Sequence, residues 1–142
     1  GVQTCALPIY EKDLSNMSAE DFDLTYENIL NLSLSRLKNN RFAAIVIGDV
    51  RNTSGFYRKF QSKTIDIFEK NGCNYYNDMI LLQEPATAAM RAFSFMNTSR
   101  KIAKCHQNVL VFVKGDPLKA TKRLPRFTDT KDPGNSLDNF FE

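Results

Sequence analysis

The sequence has little of what most specialised sites are built from. Of its 142 residues, three are cysteine, one is histidine and none is tryptophan. Cys5, Cys73 and Cys105 form an odd set without CxxC spacing. That argues against a disulfide scaffold and a structural zinc site, and fits a reducing, cytoplasmic setting. The lone His106 excludes every site that needs two histidines, and no metal is expected. No run approaches the roughly 18 apolar residues that cross a bilayer, so no transmembrane helix is expected. Apolar residues at 42% and charged residues at 25% are ordinary globular usage, which excludes a disordered chain, a collagen-like fibre and a coiled coil. The length suits one domain.

What is present is unevenly placed. Between Arg91 and Arg126 stand nine basic residues against one acid, Asp116, so this segment carries +8 of a net +3 and leaves −5 to the remainder. Two readings stand on charge alone: a surface facing a polyanion, nucleic acid first, or a solvated basic face.

Residues 1–9, Gly-Val-Gln-Thr-Cys-Ala-Leu-Pro-Ile, resemble the translation of a sequencing-adapter oligonucleotide. They lack the basic start and long apolar centre of a signal peptide. They are expected to be non-native, which makes Tyr10 the start of a cut frame and the chain the C-terminal part of something longer. Ser18-Ala-Glu-Asp21 reads as a capped helix start. Phe22, Tyr26, Ile29, Leu30 and Leu37 then share one helical face until Asn39-Asn40. Phe42-Ala-Ala-Ile-Val-Ile47 is apolar on both faces, as in a buried parallel strand. After the turn Asn52-Thr-Ser-Gly55, the residues Phe56, Phe60, Thr64, Ile67 and Phe68 predict a second amphipathic helix, stopped at Asn71-Gly72. Residues 73–83 and 107–113 read as strands, 86–104 as helix or irregular, and 116–142 as a loose tail. Two crossovers imply a doubly wound α/β sheet. Three strands with two helices bury too little for a complete one, so half a sheet is expected.

Several pieces in order carry a resemblance. They are Asp13-Leu-Ser-Asn-Met17, Phe42 through Arg51, Gly55-Phe-Tyr-Arg58, Tyr76-Asn77, Arg91-Ala92, and Ser99 through Lys104 followed by His106 through Gly115. Over roughly residues 10–120 the chain resembles the C-terminal half of phage- and prophage-type DNA methyltransferases. These transfer a methyl group from S-adenosylmethionine to an exocyclic amino group, adenine N6 or cytosine N4. The resemblance implies a Rossmann-like class I methyltransferase sheet, with residues 42–48, 74–83 and 107–113 as fifth, sixth and antiparallel seventh strands. It implies a partial methyltransferase domain over 10–115. The family's Gly-rich cofactor turn and its polar-Pro-Pro-aromatic catalytic loop would lie before Tyr10; the chain has neither a GxG nor a Pro-Pro. No catalytic or cofactor-binding residue is therefore expected here, and the chain alone is expected to be inactive.

The site residues expected in this chain are supporting ones. Asp49 and Arg51 follow a strand at its carboxyl end, where open α/β sheets place ligands, and would form the site edge; the alternative is an internal contact closing the turn. Arg91, Arg100, Lys101 and Lys104, in the connection between the last two strands, would contact double-stranded DNA, or be solvated loop charges. Ser15 and Asn16 either line a base pocket or begin the capped helix. Tyr75 and Tyr76 are core or stacking surface. Cys73 and Cys105 lack a nucleophile's context, and His106 reads as structural or phosphate-adjacent. The alternative functions are a non-catalytic nucleic-acid-binding α/β module and an RNA or small-molecule methyltransferase.

Overall fold

A computed structural model describes residues 13–82 and 88–125, with the side chains of 88–91 not included. The adapter-like segment 1–9 and residues 126–142 of the expected tail lie outside this range. The described elements are helix α1 (Ala19–Arg36), strand β1 (Arg41–Ile47), helix α2 (Phe60–Lys70), strand β2 (Cys73–Leu82), helix α3 (Ala88–Ser99), strand β3 (His106–Lys114) and helix α4 (Pro117–Thr121).

Helix α1 starts where its capping chemistry puts it. The Ser18 hydroxyl accepts from the Asp21 N–H and donates to the Asp21 carboxylate at 2.8 Å, satisfying an end-of-helix donor that would otherwise lack a partner. Leu30 and Leu34 are its buried residues. Helix α2 buries Phe60, Thr64, Ile67 and Phe68. It begins at Phe60, four residues later than the periodicity predicts, because Lys59 takes a left-handed conformation (φ 61°) that breaks any helix begun earlier. Phe56 thus lies in the preceding turn.

The sheet has the order β1-β3-β2, with β3 in the centre and antiparallel to both neighbours. Strand β3 pairs with β2 from Lys114↔Cys73 to His106↔Leu82, the antiparallel pairing expected of residues 107–113 with 75–83. Strands β1 and β2 therefore point the same way with β3 inserted between them. The parallel ladder expected for residues 42–48 is not found among the described residues: the β1 pairing is antiparallel, with β3, from Arg41↔Lys114 to Ile47↔Asn108. Nor are both faces of β1 covered. Ile47 is buried, whereas Ala44 and Val46 on the other face are exposed. An apolar run reports tolerance of burial; it does not report which faces the fold covers.

Helices α1 and α2 cover one face of the sheet. Leu30, Leu34, Ile67 and Phe68 meet Cys73, Leu110 and Phe112 there, and the Phe68 and Phe112 rings stack at 3.9 Å between centroids. Tyr75 packs against Phe112, while Tyr76 sits at a register shift in β2 and is exposed beside Phe42. The region after Asp116, expected to be loose, opens with α4. Asp116 caps it by accepting from the Leu118 and Lys119 N–H groups, and Ala120 is buried. Gly115 links β3 to this helix at φ 85°, with the Asn39 and Asn40 side chains filling the space a Cβ would need. Only glycine fits both demands.

Candidate functional site

Two clefts meet at the carboxyl end of β1, and Arg51 lines both. The chain leaves the sheet at Gly48, against which the Gln107 side chain lies, and turns through Asp49, Val50 and Arg51. The Asp49 carboxylate accepts from the Phe60 N–H at 3.3 Å, tying the strand end to the first turn of α2, where a carboxylate complements the helix dipole. Arg51 bridges antiparallel to Tyr57. Its guanidinium lies 3.9 Å from the Tyr57 ring centroid and donates to the Gly55 carbonyl at 2.8 Å. Arg51 lines both clefts and Asp49 the second, and each also makes an internal contact that shapes the turn.

The first cleft, about 630 Å³, lies between β1, α1 and the start of α2. Its aromatic wall is Phe22, Tyr26 and Phe60, with ring centroids 5.4 to 6.0 Å apart. Arg58 closes one side. Its guanidinium donates to the Asp23 carboxylate at 2.6 Å and to the Ala19 carbonyl at 2.8 Å, and lies over the Phe60 ring. Ser15 lines this cleft from a short 3-10 turn, Leu14–Asn16, capped by Asp13, and the α1 cap is Ser18, so neither Ser15 nor Asn16 begins that helix. Among the described residues the lining of this cleft includes no carboxylate.

The second cleft, about 700 Å³, runs between the 51–57 turn and the segment that joins α3 to β3. It gathers Arg51, Arg100, Lys101 and Lys104, with His106, against one acid, Asp49. Three of the four cations expected to contact DNA therefore share a surface with the expected site edge. Arg100 leaves α3 in a left-handed conformation (φ 54°). The ammonium of Lys101 sits over Gly55, and that of Lys104 reaches the Asn108 side-chain oxygen at 3.4 Å. Arg91 stands in the first turn of α3, about 13 Å of helix from Arg100, and its side chain lies outside the described set. The ion pairs found among the described residues both belong to Asp23, with Arg58 and Lys63.

Sequence reasoning assigns Phe22, Tyr26 and Phe60 to helix faces, and it does not foresee that they wall a cleft. Nor does it single out Arg58 as a frame residue: its partners Ala19 and Asp23 lie 39 and 35 positions away. No local spacing encodes such a contact. Cys73 is fully buried, and burial pushes its thiol above the usual range, the opposite of nucleophile activation. Among the described residues no cluster of metal-ligating side chains occurs, and no helix is long and apolar enough to cross a membrane.

No protein-family model and no curated protein matches the chain. Among solved structures, it is similar to a candidate DNA modification methylase from Thermus thermophilus, with a TM-score of 0.56 at 15% sequence identity. The alignment covers 85% of this chain and 47% of that one, so the chain spans about half the length of the structure it matches. At this identity the likeness is one of fold: the chain has an α/β fold shared with part of a methylase.

Proposed function

We propose that the chain is the nucleic-acid-facing part of an amino-directed DNA methyltransferase, with β1, β2 and β3 as the fifth, sixth and seventh strands of a class I sheet. The observation that carries this reading is the pair of clefts at one strand end. One is walled by aromatic rings and flanked by two guanidinium groups; the other holds four cations against one acid. The methylase likeness in fold supports it. Chemistry on a base in a duplex requires that base to leave the stack, which needs a pocket for the base and cations for the flanking phosphates. In this reading the first cleft takes the extruded adenine or cytosine. Arg100, Lys101 and Lys104 hold the phosphates, and Asp49 and Arg51 fix the turn between the two.

S-adenosylmethionine does not fit the described residues. Its sulfonium and ammonium call for acidic partners, whereas the described lining of the first cleft offers Arg51 and Arg58, which suit only its carboxylate, and no acid. Calorimetry of the chain with S-adenosylmethionine is expected to give no stoichiometric binding in the micromolar range. The cation-lined second cleft equally supports a second reading, a nucleic-acid-binding module without catalysis of its own.

Duplex DNA binding as a function of salt tests the shared part of both readings. Each phosphate contact contributes about 0.9 to the slope of log K against log salt. The R100A/K101A/K104A variant is expected to flatten that slope by about 2.7. An unchanged slope in a folded variant makes these charges a solvated face.

A further inference from the structure

We infer that the turn spanning residues 51–57 is a base-stacking element, in which the Phe56 ring takes the face of an unpaired nucleobase while Arg100, Lys101 and Lys104 take the adjoining phosphates. The inference rests on the nucleic-acid reading above and names a contact which that reading does not contain.

The ring is displayed at a cost. Phe56 is 72% exposed, although a phenylalanine gains about 1.5–3 kcal/mol when buried. It belongs by spacing to the apolar face of α2, yet the left-handed Lys59 keeps it outside the helix. The backbone that holds it is stapled from several directions. The Asn52 side-chain oxygen accepts from the Phe56 N–H at 2.9 Å, the Asn52 N–H donates to the Phe56 carbonyl at 2.8 Å, and the Gly55 N–H donates to the Asn52 carbonyl at 2.9 Å. Arg51 donates to the Gly55 carbonyl from its place over Tyr57, and the Arg58 N–H donates to the Val50 carbonyl at 2.9 Å. A ring carried on such a turn loses little backbone entropy on binding.

Tyr57 stands beside it, but the Arg51 guanidinium occupies one face of that ring. Phe56 is the aromatic of the turn that remains largely exposed, and it lines the same cleft as Arg51, Arg100, Lys101 and Lys104. The Lys101 ammonium lies over Gly55, the residue before it. An apolar ring beside ammonium and guanidinium groups that form no ion pair among the described residues is complementary to a ligand that joins a flat heterocycle to a phosphate. A protein partner would need apolar or acidic groups of its own at this spot. A nucleotide in an unpaired strand supplies both features at once.

The test uses the whole 142-residue chain and fluorescence anisotropy with two labelled single-stranded oligonucleotides of equal length, one of thymidines and one abasic. The wild type is expected to prefer the base-containing strand. F56A should bind that strand about 5- to 150-fold more weakly, the range for one stacked base, with an unchanged salt slope and unchanged binding to the abasic strand. F56W should bind as the wild type does. F56L keeps the apolar bulk but not the π-face, so it should resemble F56A; if F56A fails to fold, F56L decides the question. Equal wild-type binding to both strands, or F56L binding like the wild type, overturns the inference. If F56A has no effect while R100A/K101A/K104A still flattens the salt slope, the stacking element falls and the nucleic-acid reading stands. If the wild type binds neither strand, nor duplex DNA, in a salt-dependent way, both fall.

Discussion

Thr64 is completely buried in α2, and its hydroxyl joins the two helices that wall the first cleft. The Thr64 Oγ1 carries one proton, which goes to the Phe60 carbonyl one turn back at 2.7 Å. The Tyr26 hydroxyl, 2.8 Å from the same oxygen, must then be the donor in the contact between α1 and α2. This relay predicts an asymmetric double-mutant cycle. Y26F removes a donor but leaves Thr64 with a partner and keeps the ring among Phe22 and Phe60, so it should cost about 1 kcal/mol, the net worth of one hydrogen bond. T64V keeps the volume but leaves the half-buried Tyr26 hydroxyl without its acceptor, and it should cost about 1–3 kcal/mol. In Y26F/T64V the stranded hydroxyl is gone, so the double variant should cost about 1 kcal/mol less than the sum of the singles. Urea titrations followed by circular dichroism at neutral pH read all four corners. Additivity within about 0.3 kcal/mol would refute the relay.

Stability should also fall on the alkaline side. Burial holds the Cys73 thiol above its ordinary 9.0, with the nearby Lys114 only partly opposing it. Above pH 9 the unfolded chain loses this proton while the native state keeps it, so stability declines as pH rises, by at most about 1.4 kcal/mol per pH unit from this group. Urea midpoints between pH 7.5 and 10 should show the decline in the wild type and a shallower one in C73A; equal declines would remove Cys73 as the cause. Burial likewise raises the Tyr26 hydroxyl from 10.0, extending the loss above pH 10. G115A should destabilise by more than the roughly 1–3 kcal/mol of a left-handed non-glycine residue, because the added methyl also meets the Asn39 and Asn40 side chains. A urea midpoint within error of the wild type would show that this corner yields easily.

Local chemistry was legible in the residues themselves. The Ser18 cap, the stop at Asn71-Gly72 and the three strand segments depend on neighbours a few positions apart, and hydrophobic period and capping residues report such contacts. The excess of basic residues after Arg91 is likewise a property of the chain. Tertiary structure decided what lies beyond that reach. It inserted β3 between β1 and β2, left one face of β1 exposed, and turned Phe56 out of the helix its spacing suggested. It also brought Arg100, Lys101 and Lys104 across to the 51–57 turn, some fifty positions earlier, and tied Arg58 to α1. Such contacts carry no periodic signature. The strand order puts Leu110 and Phe112 on the central strand within the core, and a cleft exists only where two distant segments end side by side.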